Sequence, residues 1–218
     1  MKKFFKHLFI FMILFFSLYE KGITKEGEVF VIKVEGAITP VTANFISYGL
    51  NYAKEKKGKA LIIELDTPGG LVESTREIVK EILQSEIPVI VYVSPQGARA
   101  ASAGVFILLA SHLAAMAPST HVGAAHPVEL SGKADPKMME KIANDLATWA
   151  KNLAETRGRN PEFAELAVKK SKSITEKEAL SLKVIEIVAT NLEDLLSKAD
   201  GRKVKIKDTE VTLSFKKA

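Results

Sequence analysis

Residues 59–93 read KALIIELDTPGGLVESTREIVKEILQSEIPVIVYV and contain two apolar runs separated by an amphipathic stretch. Residues 59–66 predict a buried strand, and residues 88–93 predict a second one. Between them, residues 71–85 have apolar positions at helical spacing, and TPGG at residues 67–70 is typical of a turn. A strand, a helix and a strand in this order predict parallel strands joined by a crossover, the unit of an α/β fold.

The same alternation continues on both sides of this unit. Strands are predicted at residues 28–36, 113–117 and 184–189, and helices at 40–57, 102–111, 136–157, from Pro161, at 175–183 and at 191–201. Residues 94–101 are predicted to be a loop, residues 118–137 a loop with a short strand, and residues 203–215 are consistent with a β-hairpin. The fold class is therefore predicted to be α/β, with a largely parallel sheet flanked by helices.

Composition excludes several classes of function. The chain has 218 residues and no cysteine, which excludes disulfides, thiolate catalysis and cysteine-ligated zinc or iron–sulfur sites. The formal net charge is +5, and Lys2, Lys3 and Lys6 in the N-terminal segment contribute part of it. No basic stripe with interleaved aromatics is found, so nucleic acid is not expected as a partner. No metal-ligand motif such as H-E-x-x-H is found either, so neither a metal nor another cofactor is expected.

Residues 1–22 are predicted to be a signal peptide or a membrane anchor. The positive start is followed by the apolar run LFIFMILFFSLY at residues 8–19, as in a secretory signal. The run is shorter than the roughly 20 apolar residues of a full span, and no clear cleavage site follows it. In both cases we expect a membrane-associated protein whose body lies on the extracytoplasmic side.

The stretch GARAASAGVF, residues 97–106, has one hydroxyl among many small residues. Ser102 follows a loop and precedes the predicted helix 102–111. At a helix N-terminus, free N–H groups favour a developing negative charge, as a serine nucleophile requires. The alternative is an N-cap serine before a closely packed, alanine-rich helix. The stretch also departs from the hydrolase elbow G-x-S-x-G, because Ala100 replaces the first glycine.

The turn DTPGG is the second candidate. It follows a strand at the carboxyl edge of the predicted sheet, where α/β folds bind ligands. The N–H groups of Gly69 and Gly70 could donate to an oxyanion or pair with an extended peptide. The alternative is an ordinary strand–turn–helix connection.

Taken together, DTPGG, GARAASAG and AMAPSTHVGAAHPV resemble the ClpP/crotonase superfamily. The chain is most similar to the N-terminal protease domain of the NfeD proteins, which are membrane-bound serine proteases encoded beside stomatin-like proteins. The later segment GRNPEFAELAVKKSKSITEKEALSLKVIEIVA also resembles this family, although Lys183 stands where a glycine is usual. The resemblance implies a ClpP-like serine protease domain at residues 23–201, followed by a C-terminal extension at 202–218.

The resemblance also implies roles for individual residues. Ser102 would be the nucleophile, and Lys141 in KIANDLATWA would be the base of a Ser–Lys dyad. The N–H groups of Gly70 and Ala103 would bind the oxyanion. An apolar peptide, such as the C-terminal region of a stomatin-like protein, would bind at a groove formed by Gly69, Leu71, Val72, Val105 and Phe106. Relatives form dimers or rings, so a homodimer or higher homo-oligomer is expected.

Two residues compete for the role of base. A lysine base must be neutral, and burial is what lowers the pKa of a lysine from its ordinary value of about 10.4. Lys141 lies about 100° around the helix from Ile142, on the flank of a predicted apolar stripe; its alternative is a solvated lysine. The stripe consists of Met139, Ile142, Leu146, Trp149 and Leu153 and could serve the core or a subunit interface. His126 in GAAHPV is the alternative base, because ClpP-type proteases carry a catalytic histidine near this position.

Two further functions are compatible with the sequence. A non-catalytic scaffold domain of the same fold would bind an extended peptide beside Gly69 and Gly70 by strand addition. An acyl-CoA enzyme of the crotonase type would also use an oxyanion hole, but the apolar N-terminal segment argues against it because CoA chemistry is cytoplasmic.

Overall fold

The computed structural model of the protein describes residues 27–128 and 135–215. The strands are β1 Val29–Glu35, β2 Ala60–Asp66, β3 Val89–Val93, β4 Arg99–Ala101, β5 Leu113–Met116, β6 His121–Gly123, β7 Ser173–Thr175, β8 Ile187–Val188, β9 Lys203–Ile206 and β10 Thr209–Thr212. The helices are α1 Pro40–Glu55, α2 Val72–Gln84, α3 Ala103–Ala110, α4 Pro136–Thr156, α5 Pro161–Lys169, α6 Glu176–Ser181 and α7 Leu192–Ala199.

The central sheet has five parallel strands in the order β1-β2-β3-β5-β8. Helices α1, α2 and α3 return the chain from one strand to the next, as the alternation in the sequence predicts. A parallel sheet brings the carboxyl ends of its strands to one edge, and that edge is where ligands bind in such folds. The predicted α/β class with a largely parallel sheet is therefore confirmed.

Both faces of the central sheet are buried, which explains why β2 and β3 are almost continuously apolar. In β2, Leu61, Ile63 and Leu65 belong to the larger core under helices α1 to α5. Ile62 lies on the other face, in a smaller core that contains side chains of α7 and of the β9–β10 hairpin. The hairpin at residues 203–212 thus packs onto the sheet instead of extending away from it.

A second, three-stranded sheet has the order β4-β6-β7. Its first strand lies within residues 94–101, for which the predicted loop was wrong. Strand β4 has only three residues, Arg99–Ala101, and lacks the β-branched or aromatic residues that signal a strand. It is held by neighbours far away in sequence: Thr67 N–H donates to Arg99 O at 2.8 Å, and Ala101 N–H donates to Thr67 O at 3.0 Å. These bonds bring the TPGG turn beside Ser102.

Helix α4 is rotated relative to the predicted apolar stripe, of which Leu146 and Leu153 are buried and Trp149 packs against the core. The buried side chains are Ala143, Leu146, Ala147, Ala150, Leu153 and Ala154, whereas Ile142 is 38% exposed. Alanines allow α4 to pack closely on α5, whose Ala164 and Ala167 are also fully buried, and this close approach decides the rotation of the helix. Lys141 lies about 180° from Ala150 and is exposed, so its predicted position on the flank of the apolar face is wrong.

Two further predictions concern a helix start and the N-terminal segment. The capping box between Thr175 and Glu178 is confirmed, because Glu178 N–H donates to Thr175 Oγ1 and Thr175 N–H donates to the Glu178 carboxylate. The predicted signal peptide or anchor at residues 1–22 lies outside the described residues. Within residues 27–128 and 135–215, no helix combines the length and apolarity needed to cross a membrane.

Candidate active site

Ser102 occupies a strained backbone position at the start of α3. Its φ of 51° and ψ of −110° lie outside the regions that an L-residue with a Cβ normally adopts. Such outliers persist where the surrounding structure fixes them, and they cluster at functional sites. Here Ser102 N–H donates to Gly123 O at 3.0 Å, and Ser102 O accepts from Val105 N–H at 3.0 Å. The backbone is thus held on both sides of the strained residue.

The Ser102 side chain does not cap the helix. Ser102 is the N-cap residue of α3, but its hydroxyl accepts no hydrogen bond from the first turn. The other N-cap residues with a hydroxyl, Thr39 and Thr175, do accept such a bond. The geometry therefore argues against a capping role for Ser102 and leaves its Oγ available for other chemistry.

Gly69 packs directly against the Ser102 side chain. A Cβ at Gly69 would lie 2.5 Å from Ser102 Cβ and 3.0 Å from Oγ, and Gly69 has a φ of +118°. Both facts require glycine. The Thr67 hydroxyl fixes the turn, since its Oγ1 accepts from Gly69 N–H at 3.0 Å and donates to Gly69 O at 3.2 Å. The turn thus supports the serine from one side.

Gly104 explains the other small residues around Ser102. A Cβ at Gly104 would lie 2.8 Å from Thr67 Cγ2 and 3.2 Å from Ala100 Cβ. The first turn of α3 therefore packs closely under the TPGG turn, and a larger side chain would separate the two segments. Close packing and a serine on a tight turn are two aspects of one arrangement here.

Two residues whose backbone N–H groups have no partner among the described residues line the same cleft as Ser102. Gly70 and Ala103 both line this cleft, and neither N–H has a hydrogen-bond partner within the residues that the structure describes. Gly70 is held in position because its neighbours bond to Ile38: Ile38 N–H donates to Gly69 O, and Leu71 N–H donates to Ile38 O, both at 2.8 Å. Fixed, unpaired N–H groups of this kind can bind an oxyanion.

The cleft has a volume of about 610 Å³ and is mainly apolar. Of the predicted groove residues, Leu71, Val72 and Phe106 line it. Val105 is fully buried and Gly69 lies behind Ser102, so neither forms part of the lining. Leu71 and Val72 are 45% and 40% exposed, which makes them available to a ligand.

Trp149 and Leu146 line the cleft, although the sequence pattern places both only in an apolar stripe on α4. The Trp149 ring stacks on Phe106 with 4.5 Å between centroids, and Arg76 lies over its other face at 4.5 Å. Arg76 is fixed in turn by Asp145, with 2.7 Å between Nη2 and Oδ2. The sequence carries no signal that separates a cleft wall from the core at such apolar positions.

His126 lines the cleft and has one ring nitrogen engaged. Its Nδ1 is 2.9 Å from Val168 O, and because a carbonyl oxygen can only accept, Nδ1 carries the proton. In the neutral ring Nε2 is then an acceptor. Lys141 is exposed and does not line the cleft. The structure therefore brings Ser102, Gly70, Ala103 and His126 to one cleft but not Lys141.

Within residues 27–128 and 135–215, no group of three or more His, Asp or Glu side chains could hold a metal ion.

Comparisons with known proteins show which family this chain is similar to. The family model described as "NfeD1b, N-terminal domain" matches residues 28–211. The membrane-bound protease PH1510 of Pyrococcus horikoshii is 44% identical over 192 residues, 86% of this chain and 43% of that protein. The membrane protein NfeD1b of Bacillus subtilis is 28% identical over 225 residues, 96% of this chain and 49% of that protein. The chain thus spans less than half the length of each.

Solved structures show the same relationship. The 1510-N membrane-bound stomatin-specific protease, with a serine replaced by alanine, has a TM-score of 0.82 and 40% identity over 88% of this chain and 95% of that one. A variant of it with a lysine replaced by alanine, in complex with a substrate peptide, has a TM-score of 0.82 and 41% identity over 88% and 89%. ClpP1 from Listeria monocytogenes has a TM-score of 0.61 at 20% identity, over 76% of this chain and 94% of that one, and shows the fold alone.

The strained serine on a parallel α/β sheet, the family match over residues 28–211 and the 44% identity all point the same way. The fold is ClpP-like, and the chain belongs to the NfeD1b N-terminal domain family.

Proposed function

We propose that this chain is a serine endopeptidase whose nucleophile is Ser102. The observation that carries the proposal is the strained, uncapped Ser102 in a cleft that it shares with the unpaired N–H groups of Gly70 and Ala103. The similarity to a membrane-bound stomatin-specific protease, itself solved with a serine and with a lysine replaced, supports the same chemistry.

The proposed reaction is acyl transfer in two steps. Ser102 Oγ attacks the carbonyl carbon of the scissile peptide bond while a base takes its proton. The carbonyl oxygen becomes an oxyanion that accepts from Gly70 and Ala103 N–H. Collapse breaks the C–N bond, the base returns the proton to the leaving amine, and an acyl-enzyme remains. Water then attacks the ester in the same way and regenerates the Ser102 hydroxyl.

We propose Lys141 as the base, by analogy with the relative in which a lysine was replaced. Lys141 is exposed on α4, five residues before the cleft residue Leu146, or about 7.5 Å along the helix axis. Because five residues also turn the helix through about 140°, the start of α4 must rotate as well as the flexible stem to bring the amine into the cleft, where loss of water favours its neutral form. His126 is the alternative base, because it lines the cleft with Nε2 available.

We further propose that the substrate is an apolar peptide segment, such as the C-terminal region of a stomatin-like protein. The apolar wall of Leu71, Val72 and Phe106 supports this, since such surfaces bind apolar side chains. The related 1510-N protease is stomatin-specific, which supports the same class of substrate. Residues 1–22 would associate the protein with the membrane, with the protease domain on the extracytoplasmic side, and the working form would be a homodimer or higher oligomer.

One observation favours a second function. The exposed position of Lys141 outside the cleft is what a non-catalytic domain would show. Such a domain would bind an apolar peptide beside Gly70 by strand addition and leave it intact.

The test is cleavage of an apolar stomatin-tail peptide by the full chain and by four variants. Ser102→Ala and Lys141→Ala are expected to lower the cleavage rate by a factor on the order of 10⁴ or more. His126→Ala and Lys137→Ala are expected to retain the wild-type cleavage rate. Lys137 is a matched control because it is an exposed lysine on the same helix. A small alkylamine is expected to restore part of the Lys141→Ala activity.

Other outcomes lead elsewhere. Full activity of Ser102→Ala contradicts the mechanism. Loss of activity in His126→Ala with full activity in Lys141→Ala makes His126 the base. Saturable binding of an intact peptide by the wild-type chain after long incubation supports the scaffold function.

A further inference from the structure

A second pocket lies at the opposite end of the central sheet from Ser102. It has a volume of about 430 Å³ between the end of α4, the start of β5 and the β9–β10 hairpin. We call it the basic pocket, because its ionisable lining consists of His112, Arg157, Glu186, Arg202, Lys203 and Lys205. No step of the proposed peptidase reaction uses these residues.

Arg157 and Arg159, two residues apart, have different surroundings. Arg159 is nearly fully buried and fully bonded: Nε and Nη2 donate to the Glu186 carboxylate, both at 2.8 Å, and Nη1 donates to three carbonyl oxygens. Arg157 is also fixed, since Nε donates to Ala110 O at 2.8 Å and Nη1 to Lys205 O at 3.0 Å. Its Nη2, however, is buried without a partner among the described residues.

The charge of Arg157 is balanced only in part, by the nearby carboxylate of Glu186. Burial, with a contribution from Arg159, lowers the pKa of Arg157 to about 10, so the guanidinium stays charged at neutral pH. No carboxylate bonds to it within the described part of the chain, because Glu186 is engaged by Arg159 and by Ala114 N–H. Arg157 is a partly buried charge with no carboxylate bonded to it, and an anion at Nη2 would supply the missing counter-charge.

His112 supplies a second unpaired donor. Only 7% of the residue is exposed, and its Nδ1 accepts from Val89 N–H at 3.1 Å. The proton of the neutral ring therefore sits on Nε2, which is buried and has no partner among the described residues. Burial, together with Arg157 and Arg159, lowers the pKa of His112 to about 3. The ring is thus a neutral N–H donor beside a charged one.

We propose that the basic pocket binds a small oxyanion of the phosphate type, held by Arg157 Nη2 and His112 Nε2–H. The exposed cations Arg202, Lys203 and Lys205 at the mouth would attract it, although Lys203 also pairs with Glu210 at 2.7 Å. Because both donor atoms are shielded from solvent, the side chains that cover them must move aside as the anion enters. Free phosphate and a phospholipid headgroup present the same chemistry to this pocket.

The test is a titration of the full, folded chain with inorganic phosphate at constant ionic strength, balanced with chloride. NMR of chain labelled with ¹⁵N in arginine and histidine is expected to show saturable shifts of the Arg157 side chain and of His112 Nε2–H. Arg157→Gln is expected to weaken phosphate binding by about tenfold or more, since it removes a charge-assisted donor. Lys177→Gln, which removes an exposed lysine on α6 outside the pocket, is expected to leave it unchanged.

Vesicles distinguish the two sources of the anion. Saturable binding to vesicles of phosphatidylglycerol, but not of phosphatidylcholine, and its loss in Arg157→Gln would identify a headgroup as the ligand. Saturation by free phosphate alone would identify the soluble ion. If neither probe gives a saturable shift in the wild-type chain, whose fold is not in question, buried water satisfies the two donors and the proposal is overturned.

Discussion

Ser102 and Arg159 lie at opposite ends of the central sheet, and the polar groups around them are bonded in opposite ways. At the carboxyl end, Ser102 has a strained backbone and an uncapped hydroxyl, beside two N–H groups with no partner in the described residues. At the amino end, Arg159 makes five hydrogen bonds, to Glu186 and to three carbonyl oxygens. The bonded Arg159 cluster stabilises the fold, whereas the incompletely bonded groups around Ser102 are left free to bind a reacting group.

The bonding of the segments around Ser102 explains why the strain at this residue persists. A residue in this region of φ and ψ costs about 1 to 3 kcal/mol. The cost is tolerated because Thr67, Gly69 and Gly123 fix the segments on either side of the serine. The well-bonded parts of the fold thus supply the rigidity that the site needs.

Removal of the Glu186 carboxylate, at the amino end of the sheet, should have the largest effect on stability. Glu186→Gln leaves the buried Arg159 guanidinium without its counter-charge, so the free energy of unfolding is expected to fall by about 3 to 5 kcal/mol. Urea denaturation measures this change. Glu86→Gln is the matched control, because Glu86 pairs with Lys54 and Lys207 at the exposed surface, where ion pairs contribute little to stability. Equal losses in the two variants would contradict the contrast between the two ends.

A substitution at Gly70, at the carboxyl end of the sheet, should lower the cleavage rate more than the stability of the fold. A Cβ at Gly70 would meet the backbone of Ile38, so Gly70→Ala must displace the N–H that is proposed to bind the oxyanion. The rate of peptide cleavage is expected to fall by about 10²- to 10³-fold, as for the loss of one oxyanion donor. Steady-state kinetics should show the loss mainly in kcat.

A substitution at Gly97 is the control that distinguishes loss of the oxyanion donor from the effect of backbone strain. Gly97 has a φ of +87°, and a methyl group added there would meet no other atom within 4 Å. Gly97→Ala therefore adds strain of about 1 to 2 kcal/mol without touching the cleft. Its cleavage rate is expected to stay within about twofold of wild type. If the cleavage rate of Gly97→Ala falls as far as that of Gly70→Ala, general destabilisation explains the loss in both variants.

Much of the fold was predictable because its signals are local. Apolar strands alternate with amphipathic helices, and the capping box at Thr175 and Glu178 marks a helix start within four residues. Strand β4 was not predictable, because Arg99–Ala101 is a strand only through its bonds to Thr67 and its pairing with β6. The rotation of α4 was missed for a similar reason, since its alanines pack on a partner helix that the pattern does not reveal.

In the candidate site too, some residues have a local signal in the sequence and others do not. The serine and the paired glycines stand in recognisable turns, so the sequence makes Ser102 and Gly70 candidates; their roles come from the family resemblance and stay predictions. The wall formed by Trp149 and the fully bonded Arg159 were not, because both depend on contacts across the fold. The roles of Lys141 and His126 also depend on such contacts, and they stay predictions.

Covalent trapping tests the identity of the nucleophile most directly. The full chain is treated with a fluorophosphonate, whose phosphorus is attacked by an activated serine Oγ with loss of fluoride, and is then analysed by intact-mass and peptide mass spectrometry. We predict one adduct, on Ser102, that disappears in Ser102→Ala and forms more slowly in Gly70→Ala. An adduct that persists in Ser102→Ala, or a chain that cleaves peptide yet forms no adduct, would contradict the role of Ser102.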